Sequence, residues 1–531
     1  MQKWVPIKAK YFFILLPVFI CSISCSSTRI IREFHDPVNL EHSSVNNKLI
    51  KVHMIDGSLY LLDSLMSTFS SDTISGYGKY YNQYREIIVT NKTAEGKLIR
   101  PGFRIPITKV ALFETNNIEG LNSKILALTL VGIPTVLVTT FCILNPKACF
   151  GSCPTFYAWN GEDTVLMAEG FSSSILRSFE KQDVDMLYNT KVTGSQVNLK
   201  MTNEALETHV IRYANLLVFP KELDERVFAE EHGIFYKVSD IMIPSSCSAS
   251  EGDCLEAVRK MDSRERYSVT DETNLAEKEF IELTFNNVSP GEHGLIVGCR
   301  QTFLTTYLFY QSLAYMGNSA GNFAEHIESG DKKLQKRVNK VWNVLGGIEV
   351  FVQNARGKWI KVNQFEEMGP IASDVHMIRL PSSETPLLKV KLRLTKGLWR
   401  IDYLALARTG ERVDPIKINP SNITSGNFKD ANTGEIALSD TLNPLVTLPG
   451  DSYNLIYDLP SVSNDYELFL CSKGYYIEWM REPWIDEENL KKASILFGFP
   501  KMYMRMAAKD FKLVESSMEE SFWKSRYVKN K

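Results

Sequence analysis

Three groups of residues in this 531-residue chain are of types and spacings that could do chemistry. The first is Gly317-Asn318-Ser319-Ala320-Gly321, which matches the G-x-S-x-G pattern of a nucleophile elbow. Such an elbow needs a strand before the serine and a helix after it, so that strain exposes the hydroxyl. Here the preceding residues 307–312 read as helix at least as readily as strand. Asp374 and His376 offer an acid and a base downstream, but two residues apart, whereas a triad draws them from separate loops. Ser319 is thus a candidate nucleophile on its motif alone, and a Gly-rich break between helices fits its neighbours better.

The second group is the cysteines. Ser22-Ile23-Ser24-Cys25 follows a positive stretch (Lys3, Lys8, Lys10) and an apolar run over residues 11–20, which has the length of a signal-peptide core. Small residues before Cys25 fit a lipidation site, although Ser22 stands where such sites usually carry leucine. Cys149 with Cys153, and Cys247 with Cys254, lie close in sequence, and in an exported chain such pairs read first as disulfides. Zinc would want four ligands at tight spacing, and no histidine stands near either pair. Neither a metal nor a cofactor is expected. Cys299 and Cys471 sit in apolar surroundings and read as core.

The third group is aromatic and basic. Tyr157 and Trp159 alternate before Asn160-Gly161, a strand running into a hairpin turn. They offer a ligand platform, with core packing the commoner use of such a pair. Lys389, Lys391 and Arg393 alternate on one strand, where they suit an acidic glycan or lipid less well than a solvated outer face. A net charge of −2, with basic residues dispersed among acids, gives no footprint for nucleic acid. H-E-x-x-H, P-loop, dinucleotide and EF-hand patterns are all missing.

The elements that must position these groups are mainly strands. The expected fold is mainly β with helical segments, an α+β chain of several domains. Its parts are a signal peptide over 1–24, a tether over 25–44, and a small β-barrel-like module over 45–118 resembling Sm-like or SH3-like barrels. A hydrophobic segment covers 121–146. Within it, residues 125–144 are uncharged for long enough to cross a bilayer, and either span it or lie buried or against its surface. A β-rich domain over 149–300 comes next, then a helical segment over 301–343. A β-sandwich over 344–482, resembling the jelly rolls of galactose-binding-like domains, precedes C-terminal helices over 483–531. Trp399 and Trp479 should be buried in this arrangement.

Four segments carry a wider resemblance: Cys153-Pro154 with Tyr157, Trp159 and Gly161; Thr305-Thr306-Tyr307-Leu308-Phe309-Tyr310-Gln311; Gly397-Leu398-Trp399-Arg400-Ile401-Asp402; and Gly474-Tyr475-Tyr476-Ile477-Glu478-Trp479-Met480-Arg481. Through them the mature chain resembles a family of uncharacterised envelope lipoproteins of Gram-negative bacteria, and the resemblance implies no activity. The expected role is a non-catalytic binding, assembly or structural module. It is anchored to the membrane through the N-terminal lipid, with residues 125–144 a second attachment where they reach the bilayer, and faces the periplasm or cell surface. Its partner is a protein or glycan. The alternative is an envelope hydrolase acting on glycan or ester.

Overall fold

The computed structural model describes residues 28–35, 50–54, 56, 58–65, 72–82, 91–92, 98–99 and 101–120. It also describes 153–526, apart from 193, 223, 231–232, 329, 367–368, 384, 426–437, 439–443, 462–464, 480–483, 485 and 525. Cys25, Cys149 and the run 125–144 lie outside the described residues. Among the described residues no helix is long and apolar enough to cross a membrane. The chain divides into two compact units, residues 1–134 and 135–531, and is mostly β.

The first unit is built on a six-stranded antiparallel sheet, ordered Thr28–His35, Val110–Gly120, Ile50–Met54, Leu59–Leu65, Thr73–Tyr81, Gly102–Pro106. The strands on either side of Asp56 form a hairpin, with Lys51 opposite Leu61. Asp56 Oδ1 accepts from the Ser58 amide at 2.9 Å and stabilises the turn. Alternate residues Ile50, Val52 and Met54 reach a small core with Ile74, Ile105 and Phe113. The expected tether is in part a strand. Thr28–His35 pairs along Phe113–Gly120 of the long strand, from Thr28 opposite Gly120 to His35 opposite Phe113, and covers an edge that would otherwise be open.

Among its described residues the second unit holds four antiparallel sheets with three apolar cores between them. The first sheet includes Thr155–Trp159, Gln196–Thr202 and Ser452–Asp458, and the second includes Lys181–Met186, Asp465–Glu478 and Glu207–Lys221. The third is centred on Trp399–Val413 and Gly291–Gln301, and the fourth on Lys278–Asn286 and Leu387–Thr395. Strand alternation assigns the cores. Leu216 and Val218 enter one core with Phe156 and Leu199, while Leu217 and Phe219 enter the next with Phe228 and Ile296. Leu295 and Val297 turn the other way, to a third core with Ile281 and Leu392. Both middle sheets are therefore buried on both faces. Trp399 and Trp479 are buried, as expected.

These pairings correct the serial domain boundaries within the body. Asp465–Glu478 lies between Lys181–Met186 and Glu207–Lys221, and Trp399–Val413 pairs with Gly291–Gln301. Strands from the expected 344–482 sandwich thus complete sheets begun before residue 300, and neither 300 nor 343 divides the body.

Longer helices among the described residues pack on the third core: α1 (Leu304–Met316), α2 (Ala320–Glu328), α3 (Lys332–Leu345), α4 (Leu490–Gly498), α5 (Pro500–Lys512) and α6 (Glu515–Lys524). Asp331 caps α3 by accepting from the amides of Lys333 and Leu334. Phe303 packs on Phe522 at 4.4 Å and Tyr307 on Phe511 at 4.9 Å, fastening the C-terminal helices over α1.

Candidate functional site

The helices, the strand ends and two loops enclose a cavity of about 680 Å³, within the range of small-ligand sites. Each wall has a local cause. One loop leaves the strand Thr164–Glu169 through Phe171, whose φ of +40° turns the chain while its ring is fully buried. The Phe171 amide donates to Asp183 Oδ2 at 2.8 Å. Tyr476 then holds the loop, its hydroxyl donating to the Ser172 carbonyl at 3.0 Å and its amide to the Ser174 carbonyl at 2.9 Å. This presents Ser172 and Ser173 to the cavity.

The second loop, Gly369 to Ala372, is held by Glu169. Its Oε2 accepts from the Ile371 amide at 2.7 Å and the Ala372 amide at 3.4 Å. Gly369 passes so close that a Cβ there would lie 2.1 Å from the same oxygen, so only glycine admits the carboxylate. Arg300 fixes the loop from the other side by donating to the Pro370 carbonyl at 2.9 Å. Thr302 binds the start of α1 to the turn that leads into Trp399, its amide donating to the Leu398 carbonyl at 2.7 Å.

The electrostatics are acidic. Glu169, Glu207, Glu366 and Glu478 line the cavity with Gln301, Gln364, Asn339 and Asn343, and no lysine or arginine is among the described lining residues. Burial pushes the Glu169 carboxyl up to about 7, against the lowering effect of its amide donors. Behind it, burial and the Asp374 charge push Asp183 up to about 6. Burial also holds the Cys153 thiol well above its ordinary range, with Glu169 adding to the effect. A thiol held protonated is a poor nucleophile. The indole Nε1 of Trp399, a buried lining residue, has no acceptor among the described residues. Glu207 bonds His209 Nε2 at 2.6 Å with both side chains buried.

The residues singled out in the sequence fall as follows. Cys247 and Cys254 form a disulfide. Cys153 is an uncross-linked, buried thiol bonded to Glu169, which corrects the pairing expected with Cys149. Ser319 lies in the 3-10 turn Gly317–Ser319 between α1 and α2, so the strand–turn–helix elbow is missing. Gly317 has φ +47°, and a Cβ there would lie 2.5 Å from Glu488 Cβ. Asp374 and His376 pair with each other on the strand Asp374–Ser383.

Tyr157 and Trp159 share the face opposite Phe156 and Ala158, and it is the latter two that pack in the core. The Tyr157 hydroxyl donates to Glu204 at 2.9 Å, and Trp159 is 40% exposed. Lys391 and Arg393 meet Glu282 and Glu349 at 2.8 and 3.0 Å, the pattern of a solvated face. Among the described residues no group of His, Cys, Asp and Glu could hold a metal ion.

The cavity was not visible in the sequence, yet all four segments of the resemblance reach it, through Cys153, Thr305 and Thr306, Trp399, and Tyr476 with Glu478.

No protein-family model matches the chain. A search of curated proteins finds no match either. Among solved structures, an uncharacterised protein (lmo2446) of Listeria monocytogenes EGD-e is 8% identical over 65% of this chain and 31% of its own, with a TM-score of 0.14. The dimeric latent PorU of Porphyromonas gingivalis is 9% identical over 85% of this chain and 32% of its own, again with a TM-score of 0.14. The chain thus spans about a third of the length of each.

Proposed function

We propose that this chain is a membrane-anchored cell-envelope protein whose body binds a neutral, hydroxyl-rich ligand of the glycan class in the 680 Å³ cavity. One observation carries the binding reading. The cavity combines carboxylates, amides and hydroxyls with the rings of Phe309, Tyr310, Trp342 and Trp399, and offers no basic side chain among its described residues. Carboxylates and amides suit sugar hydroxyls, and aromatic faces suit their apolar sides. An anionic ligand would meet only like charge.

The envelope location rests on the positive stretch, the apolar run and the small residues before Cys25. The kinship with Gram-negative envelope lipoproteins rests on the four sequence segments. In the same reading, the six-stranded sheet of the first unit is a small Sm-like or SH3-like barrel. The jelly-roll sandwich corresponds to the third and fourth sheets around the third core.

A hydrolase is the second reading, favoured by a buried carboxyl at about 7, the range of a general acid. Against it, Glu169 already accepts from two loop amides and the Cys153 thiol, which suits a positioning role.

Calorimetric titration of a panel of neutral mono- and disaccharides, alongside the matching uronates, tests the proposal. Saturable binding of a neutral sugar with rejection of its uronate is expected. Uronates binding as well as neutral sugars, or no sugar binding, would overturn it. Cleavage products that vanish in Glu169→Gln would favour the hydrolase instead.

A further inference from the structure

The polar cavity does not end at its own walls. A second pocket of about 210 Å³ adjoins it, and the two share Ile175, Phe309, Trp342 and Glu478 as lining residues. The character changes across that boundary. The second pocket is walled by Leu313 of α1, Phe323 and Ile327 of α2, Val338 of α3 and Leu496 of α4, with few polar groups. Phe323 packs against Phe497 at 4.9 Å, and both rings line the pocket. An apolar cavity of ~150 Å³ stays dry and takes up benzene, so this pocket has room for an apolar group larger than one benzene ring. A free sugar has no such group. A ligand that fills both spaces has a neutral polar head and a single apolar chain.

We infer that the ligand is a single-chain amphiphile, its uncharged sugar head in the acidic cavity and its alkyl or acyl chain between α1, α2, α3 and α4. This rests on the glycan reading above and narrows it. The shared residues supply the junction. Trp342 and Phe309 offer aromatic faces at the point where head becomes chain, and rings suit such a boundary because they have an apolar body and tolerate a wet edge. The lack of basic residues argues against a phosphate or sulfate head. The volume of the pocket sets a limit on chain length.

The test uses the full chain and alkyl β-glucosides from methyl to decyl, all below their micelle concentrations. Binding is read by calorimetry and by the fluorescence of Trp342 and Trp399. Affinity should rise about fourfold per methylene, the equivalent of ~0.8 kcal/mol, and then level off once the pocket is full. Ala324→Phe, which fills the pocket from α2, should bring the octyl-to-methyl affinity ratio close to one. Phe323→Ala, which enlarges it, should move the plateau to longer chains. Melting curves confirm that both variants fold.

A flat chain-length series, with neutral sugars still binding, overturns the amphiphile and leaves the glycan reading in place. A rising series that neither variant alters marks non-specific adsorption and also overturns it. Chain-dependent binding with no sugar bound by itself would retain the apolar arm and remove the glycan reading.

Discussion

Glu169 shows how one side chain ties fold to site. Its carboxyl is buried, holds the loop at Gly369 by two amides, and is pushed up to about 7. Folding therefore favours its protonated form. The stability it contributes is full below the ordinary carboxyl range and is lost as pH rises through about 7, a change of up to about 3 kcal/mol. Glu169→Gln keeps an acceptor for the Ile371 amide and removes the titration. Urea unfolding at pH 5 and pH 8 should show the variant gaining on the natural chain by roughly 2–3 kcal/mol at the higher pH. The same difference at both pH values would remove Glu169 as the source. Gly317 makes a second point at this scale. With φ +47° and Glu488 Cβ only 2.5 Å from where its own Cβ would sit, Gly317→Ala should cost more than about 1 kcal/mol in thermal or urea unfolding.

At the scale of elements, α6 is fastened by a ring of charges. Arg300 contacts Glu265 at 2.5 Å and Glu519 at 2.7 Å, and Arg400 contacts the same two acids at 3.1 and 2.5 Å. Arg300 also holds the cavity loop through Pro370. With Arg300 and Glu265 about nine-tenths buried, Arg300→Ala should cost about 3–5 kcal/mol and loosen both α6 and the loop. Hydrogen exchange at the Ile371 and Ala372 amides would report the second effect, and unchanged protection there would separate the loop from the ring.

Elements were also what the sequence showed best. The Asn160 turn, the Gly317 break and the burial of Trp399 follow from short-range patterns, and each is found. The cavity was not legible because its residues come from strands, loops and helices spread between Cys153 and Glu478. No spacing rule links Glu169 to Gly369. The free Cys153 was missed for the same reason, since its partner Glu169 is set by strand pairing.

The whole body folds as one because its sheets interleave distant segments. Residues 210–219 pack on both faces, so this stretch reads as a nearly continuous apolar run where a one-sided strand would alternate. A chain ending at residue 443 would lack Ser452–Asp458 and Asp465–Glu478, which pair with Gln196–Thr202 and Glu207–Lys221. Such a chain should show no cooperative unfolding by circular dichroism and rapid proteolysis throughout the body. A sharp transition would mean that the sheets can close without those strands.

The position of Asp465–Glu478, central in its sheet but late in the chain, bears on the order of events as the polypeptide emerges from a ribosome or a translocation pore. Strands already outside wait more than two hundred residues for the neighbour that covers them, so Lys181–Met186 and Glu207–Lys221 stay unjoined until Asp465–Glu478 is out. Contacts so far apart in sequence close slowly. The apolar edges exposed in that interval are ones a chaperone would have to shield.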